Sequence, residues 1–182
     1  MLKNCFVWID LEMTGLIPET DSILEIATII TDEQLAIVAE GPSLVIHQPQ
    51  KVLDHMNEWV TTTHAASGLT REVQQSKIDL VQAELMTLNF IKQYALPGEG
   101  ILCGNSVYQD RAFLRRYMPL IHDYLHYRIV DVSSVKELVR KWYPESKYAD
   151  FKKPENHRAL EDIRYSIAEL EHYRNYFFVK EA

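Results

Sequence analysis

Three apolar runs of strand type fall within residues 6–46, with a tight turn or loop between each and the next. Phe6-Val7-Trp8-Ile9-Asp10 is short, apolar and ends in an acid, the pattern of a buried strand. Thr14-Gly15-Leu16-Ile17-Pro18 is a loop by its breakers. Glu25-Ile26-Ala27-Thr28-Ile29-Ile30 is the second strand, and Asp32-Glu33-Gln34 turns into a third. That third strand covers 35–39 and continues beyond Gly41-Pro42 through Leu44-Val45-Ile46. Three strands joined this closely form an antiparallel meander, which commits the first quarter of the chain to a sheet.

Helical periodicity then takes over. Ser76 and Asp79 form a capping pair ahead of a stripe at Val81, Leu85, Leu88 and Ile91, and Pro97-Gly98 ends that helix. Ile101-Leu102-Cys103-Gly104 is a fourth strand, and a helix over 109–117 stops before Pro119. Arg128-Ile129-Val130-Asp131-Val132 is a fifth strand. Ser134 with Glu137 caps a helix striped by Val135, Leu138, Val139 and Trp142. Residues 148–155 are polar and read as a loop. The last helix shows Leu160, Ile163, Ile167, Leu170 and Phe177 at helical spacing. Strands first and β–α alternation later imply an α/β fold, a mixed five-stranded sheet covered by helices. No repeat, linker or boundary divides the chain, so residues 1–182 are expected to form a single domain.

Composition narrows the partners. Lys and Arg number 19 against 26 Asp and Glu, a net charge of −7. A chain this acidic is poorly suited to gripping long duplex nucleic acid through many phosphates. It can hold a short anionic ligand if metal ions supply the positive charge. Cys5 and Cys103 each sit in or beside an apolar run and read as buried thiols of a reducing compartment. Residues 1–10 do not have the form of a signal peptide, and no apolar run approaches the ~20 residues that span a bilayer. A cytoplasmic location, away from membranes, is the expectation.

The chemistry sits in carboxylates at segment ends. Asp10 and Glu12 alternate on a strand, so both point one way while Leu11 points the other. Two acids side by side repel unless a cation sits between them, and hard oxygen ligands suit Mg²⁺ or Mn²⁺. Alone, the pair is also what a solvated strand end looks like. Asp110 lies six residues after Gly104, where a helix-start acid complements the dipole, and Asn105 reads as a turn residue. Asp162 sits in the first turns of the last helix. His157 precedes it by five positions, about 140° away around a helix, and belongs to the mouth rather than the stripe. Taken singly, each has an ordinary structural reading. Together, four acids at the ends of a first strand, a later helix and a last helix can converge on one edge of a sheet. Four carboxylates require about two divalent cations, the inventory of two-metal phosphoryl transfer with ions ~4 Å apart.

At these residues the chain resembles a known family. Asp10-Leu11-Glu12, Asp110 after Gly104-Asn105-Ser106, and His157-Arg158-Ala159-Leu160-Glu161-Asp162 are similar to the motifs of the DEDDh branch of the DnaQ-like 3′→5′ exonucleases. Trp8-Ile9-Asp10-Leu11-Glu12-Met13-Thr14-Gly15-Leu16 and Asp131-Val132-Ser133-Ser134-Val135-Lys136-Glu137-Leu138 resemble the oligoribonucleases within it. The resemblance runs from about residue 6 to 176. Asn156 departs from it, standing where many relatives carry a threonine, and both are capping types. Residues 145–155 are less similar.

The resemblance implies an RNase H-like sheet and hydrolysis of short single-stranded RNA, dinucleotides favoured, from its 3′ end to nucleoside 5′-monophosphates. Asp10, Glu12, Asp110 and Asp162 would hold two Mg²⁺ or Mn²⁺ ions, and His157 would take the proton of the attacking water. Leu16 and Trp59 resemble residues that sandwich bases, and His64 one near the terminal nucleotide. Ser106, Arg128 and Ser133 resemble a polar cap on a 5′ phosphate, and Tyr127 a residue that stacks on a base across a subunit interface. A homodimer is therefore expected, with Tyr117, Tyr124, Tyr127, Tyr173, Tyr176, Phe177 and Phe178 as interface aromatics or as core. Two other functions stay open: a related exonuclease trimming DNA or tRNA 3′ ends, and a catalytically inactive nucleotide-binding protein of the same fold.

Overall fold

The computed structural model describes residues 5–152 and 158–179. Strands β1 (Phe6–Met13), β2 (Ile23–Thr31) and β3 (Ile37–Val45) form the expected meander. Four helices follow: α1 (Gln50–Leu53), α2 (Glu58–Ala66), α3 (Leu69–Gln75) and α4 (Leu80–Ile91). Then come β4 (Ile101–Gly104), α5 (Tyr108–Tyr117), α6 (Pro119–Tyr124), β5 (Ile129–Asp131), α7 (Val132–Trp142) and α8 (Ala159–Phe177). The sheet order is β3-β2-β1-β4-β5. β1 pairs antiparallel with β2 and parallel with β4, and β4 pairs parallel with β5, so the sheet is mixed as expected.

Helices cover both faces. Val7, Ile9 and Leu11 of β1 pack with residues of α4, α5 and α6, while Trp8 packs on the opposite face with residues of α7 and α8. This two-sided cover explains why every residue of β2 is buried and why its sequence lacks clean alternation. Ile163 and Ile167 seat α8 on the sheet, each contributing about 1.5–3 kcal/mol of burial. Cys5 and Cys103 are buried free thiols, as expected. Among the described residues, no helix is long and apolar enough to cross a membrane.

Several local expectations need correction. Asp79, not Ser76, caps α4: its side chain accepts from the Gln82 N–H at 2.8 Å, and the Gln82 side chain accepts from the Asp79 N–H at 3.0 Å. Ser76 instead donates its hydroxyl to the Val45 carbonyl. Val81 and Leu85 are exposed, and the buried stripe of α4 contains Ala83, Glu84, Thr87, Leu88 and Ile91. The helix ends at Ile91, before Pro97-Gly98. Asp131, not Ser134, caps α7 by accepting from the Ser133 N–H at 2.9 Å. Leu138 and Trp142 of the expected stripe are exposed. Tyr173 is a fully buried residue of α8 and belongs to the core, whereas Tyr127, Tyr176 and Phe178 are exposed.

The α4 cap gives a direct test. Asp79→Ala should lower the unfolding free energy by about 1 kcal/mol, shifting the thermal midpoint down by about 2–4 °C. Ser76→Ala should leave the N-terminal turn of α4 protected in hydrogen exchange, and loss of that protection would return the cap to Ser76.

Candidate active site

β1 outlasts its parallel neighbour. Its register with β4 runs from Phe6 to Trp8, so the strand beyond is free of β4. Gly104, where β4 ends, is tightly packed: a Cβ would lie 3.1 Å from Val107 and 3.2 Å from the Ile9 carbonyl, so its neighbours would have to give way. The chain turns there into α5, whose first turn carries Asp110. The Asp110 carboxylate accepts from the Leu11 N–H at 2.9 Å, taking over an edge group that β4 leaves behind.

Asp10 and Glu12 lie on the Trp8 side of β1, the side that α8 covers. Asp10 faces Ala27 across the β2 pairing and Glu12 faces Glu25. Asp162, in the first turn of α8, completes a trio: one carboxylate oxygen each from Asp10, Glu12 and Asp162 lie within 4.8 Å of one another. Asp110, buried beside Leu11, is not one of that trio. The crowding shows in the titration. Burial first, then the charges of Asp162, Glu25 and Asp110, push the Glu12 carboxyl up to about 8, while Arg158 opposes them. Burial also pushes Asp110 up to about 8, against the lowering effect of the Leu11 N–H. Such a cluster takes up protons or a cation, and its all-oxygen donor set fits Mg²⁺ or Mn²⁺.

Arg158 is a part of the site that the sequence reading missed. It stands at the N-cap of α8, and its guanidinium meets the buried Glu25 carboxylate at 3.2 Å and Glu72 of α3 at 2.8 Å. The pair fastens the start of α8 to β2, opposite Glu12. No periodicity announces such a pair, whose members lie 133 residues apart. His157, the residue before it, lies outside the described residues.

A cleft of about 560 Å³ opens beside the acids, lined by Glu12, Leu16, Trp59 and His64 among others. Leu16 is 64% exposed and Trp59 65%, so two large apolar side chains stand out on its walls instead of entering the core. The loop bearing Leu16 is tied to α5, where the Gln109 amide donates to the Leu16 carbonyl and the Tyr117 hydroxyl to the Asp21 carbonyl. Trp59 belongs to α2, which Asn57 caps by accepting from the Val60 N–H at 2.9 Å. His64 is buried. Its Nε2–H donates to the Met13 carbonyl at 3.0 Å, and its Nδ1 lies 3.9 Å from Glu12.

Ser106 and Ser133 meet where β4 and β5 end. The Ser106 N–H donates to Asp131 Oδ1 and Ser133 Oγ, both at 3.0 Å, and the two hydroxyls lie 3.2 Å apart. Ser106 holds a φ of +49°, a left-handed conformation these bonds stabilise. Tyr127 is 69% exposed and lies between the His126 ring, 4.5 Å away, and the Arg128 guanidinium, 4.9 Å from its centroid.

Comparison with known proteins gives the family and the fold. Residues 7–170 match an exonuclease family, RNase_T. The chain is 55% identical over 172 residues to the oligoribonuclease of Marinobacter nauticus, covering 94% of this chain and 95% of that one. It is 53% identical over 174 residues to the oligoribonuclease of Acinetobacter baylyi, covering 96% and 94%. Among solved structures, E. coli exonuclease I in complex with a 5cy-dT13 oligonucleotide shares the fold at a TM-score of 0.72 and 16% identity. That match covers 97% of this chain but only 42% of exonuclease I. The chain belongs to the oligoribonuclease family of exonucleases, hydrolases that act 3′→5′ on short RNA.

Proposed function

We propose that this chain removes nucleoside 5′-monophosphates from the 3′ end of very short RNA, dinucleotides above all, with two Mg²⁺ or Mn²⁺ ions held by Asp10, Glu12, Asp110 and Asp162. The observation that carries this reading is the trio of carboxylates within 4.8 Å, in which Glu12 is pushed up to about 8. Bound there, the ions supply an acidified attacking water and a counter-charge for the leaving 3′ oxygen. His157 takes the water's proton, a task its reference pKa of ~6.5 suits near neutral pH. Arg158, fixed by Glu25 and Glu72, holds the chain next to that base.

The remaining residues select length. Leu16 and Trp59 present apolar faces on which bases stack, a sequence-tolerant contact of about 1–3 kcal/mol per base. His64 sits beside the terminal nucleotide. Ser106, Ser133 and Arg128 cap the 5′ phosphate, and Tyr127 stacks on a base across a homodimer interface. A closed path with paired charge at its end rejects longer chains. The net charge of −7 supports this, since the chain lacks the cations to track a long backbone. The enzyme works as one domain in the cytoplasm. A role on DNA or tRNA 3′ ends is the competing reading. It requires a long RNA or a mismatched DNA primer to be cut as fast as a 5′-phosphorylated RNA dinucleotide.

His157→Ala should lower kcat by about 10²–10⁴-fold and leave Mn²⁺ affinity unchanged, as read by isothermal titration. Asp10→Ala should lose both activity and metal binding, and wild-type turnover in either variant removes that residue from the site. The acids also make a pH prediction. Folding raises the carboxyls of Glu12 and Asp110 to about 8, so their contribution to stability is full in acid. It is lost as pH rises through about 8. Without divalent ions the thermal midpoint should therefore fall between about pH 5 and pH 9, and the gain from Mn²⁺ should grow over that range. Glu12→Gln should flatten both trends, and a Mn²⁺ gain that ignores pH contradicts the assignment.

A further inference from the structure

Beneath the two serines lies a hydrogen-bonded chain that runs to the metal-side helix. The Asn105 amide stands at its centre. Its nitrogen donates to Ser166 Oγ at 2.9 Å and to Glu169 Oε2 at 3.0 Å. Its oxygen accepts from the Ser133 hydroxyl at 3.1 Å. Ser166 in turn donates to the Asp162 carbonyl at 2.9 Å, and Ser133 accepts from the Ser106 N–H. Glu169 is fully buried and is itself held by Lys136 of α7 at 2.8 Å and by the Tyr173 hydroxyl at 3.0 Å.

The chemistry fixes the direction of each bond. A carboxylate paired with a lysine only accepts, so it draws the amide nitrogen of Asn105 towards itself. The amide oxygen then faces Ser133 and accepts the one hydrogen bond its hydroxyl can donate. Ser133 is left with lone pairs, which receive the Ser106 N–H and stabilise the +49° φ of Ser106, so Ser133 serves the cap by holding Ser106, whose own hydroxyl is the donor for a phosphate oxygen. Asn105 thus ties α8, with Asp162, to the neighbouring ends of β4 and β5, where the β4–α5 turn leads to Asp110 and α7 begins.

We propose that Asn105 is a positioning residue that sets the Ser106–Ser133 pair relative to α8, so that preference for a 5′-phosphorylated end depends on an amide that does not touch the substrate. This rests on the reading of the serine pair as the 5′-phosphate cap. An anchor of this kind acts through distance: a rigid link between the cap and the helix of Asp162 measures the span of the substrate between them.

Steady-state kinetics of the full chain with Mn²⁺, on 5′-phosphorylated ApA and on ApA without the phosphate, provide the test. The wild type should prefer the phosphorylated dinucleotide. Asn105→Ala should reduce kcat/KM on that substrate about tenfold, through KM, and change ApA by less than about twofold. Adding Ser133→Ala to Asn105→Ala should cost less than about twofold more, because both act through one link. Equal losses on both substrates, or a preference left intact, overturn the proposal. A wild type that treats the two substrates alike, with Ser133→Ala also without effect, overturns the cap reading itself. Should Asn105→Ala fail to fold by circular dichroism, Ser166→Ala carries the test, with about a threefold loss of the same preference expected and an unchanged preference contrary to it.

Discussion

Like charges crowded at the open end of a sheet dominate this molecule. Oxygens of Asp10, Glu12 and Asp162 lie within 4.8 Å, beside a buried Asp110. The three are half-buried, so each added negative charge raises the cost of the next. The fold accepts this cost because it grips the acids from outside. β1 is the central strand, α8 lies across it, and α5 hands its carboxylate to the Leu11 N–H. Arg158 lowers the strain on Glu12, yet it is committed to Glu25 and Glu72. It tempers the cluster without neutralising it, which leaves a place that mobile divalent ions fill on the proposed reading.

How much of this was legible follows from the length of each signal. β1 and β2 were clear because a strand flanked on both faces is apolar throughout, and the acids that end β1 alternate with a period of two. The long α8 showed its stripe over 19 residues. Helices α1, α2 and α3 were not read, because segments of 4, 9 and 7 residues offer too few turns for a period to emerge. The capping errors share one cause. Ser76 and Asp79 are both cap types within one turn, as are Asp131 and Ser134, and backbone geometry decides between them. Val81 and Leu85 misled because apolar residues at helical spacing also occur on an exposed face.

The site divides the same way. Acid spacing alone suggested a cation site, since the repulsion is a local property of Asp10 and Glu12. The expectation that Ser106 and Ser133 belong together came from family resemblance, because 27 residues, comprising α5, α6 and β5, separate them. Asn105 looked like an ordinary turn residue, and no motif singled out Glu169. Only the close approach of α7, α8 and the β4–α5 turn makes them partners. Long-range polar contacts of this kind are invisible to periodicity and capping rules, and they are where specificity is set.

Anomalous diffraction from crystals of the protein soaked in Mn²⁺ reaches the central claim most directly. Two peaks should appear about 4 Å apart, with oxygens of Asp10, Glu12 and Asp162 at about 2.1 Å from them. Manganese density found only elsewhere on the surface, with the four carboxylates bare, would contradict it.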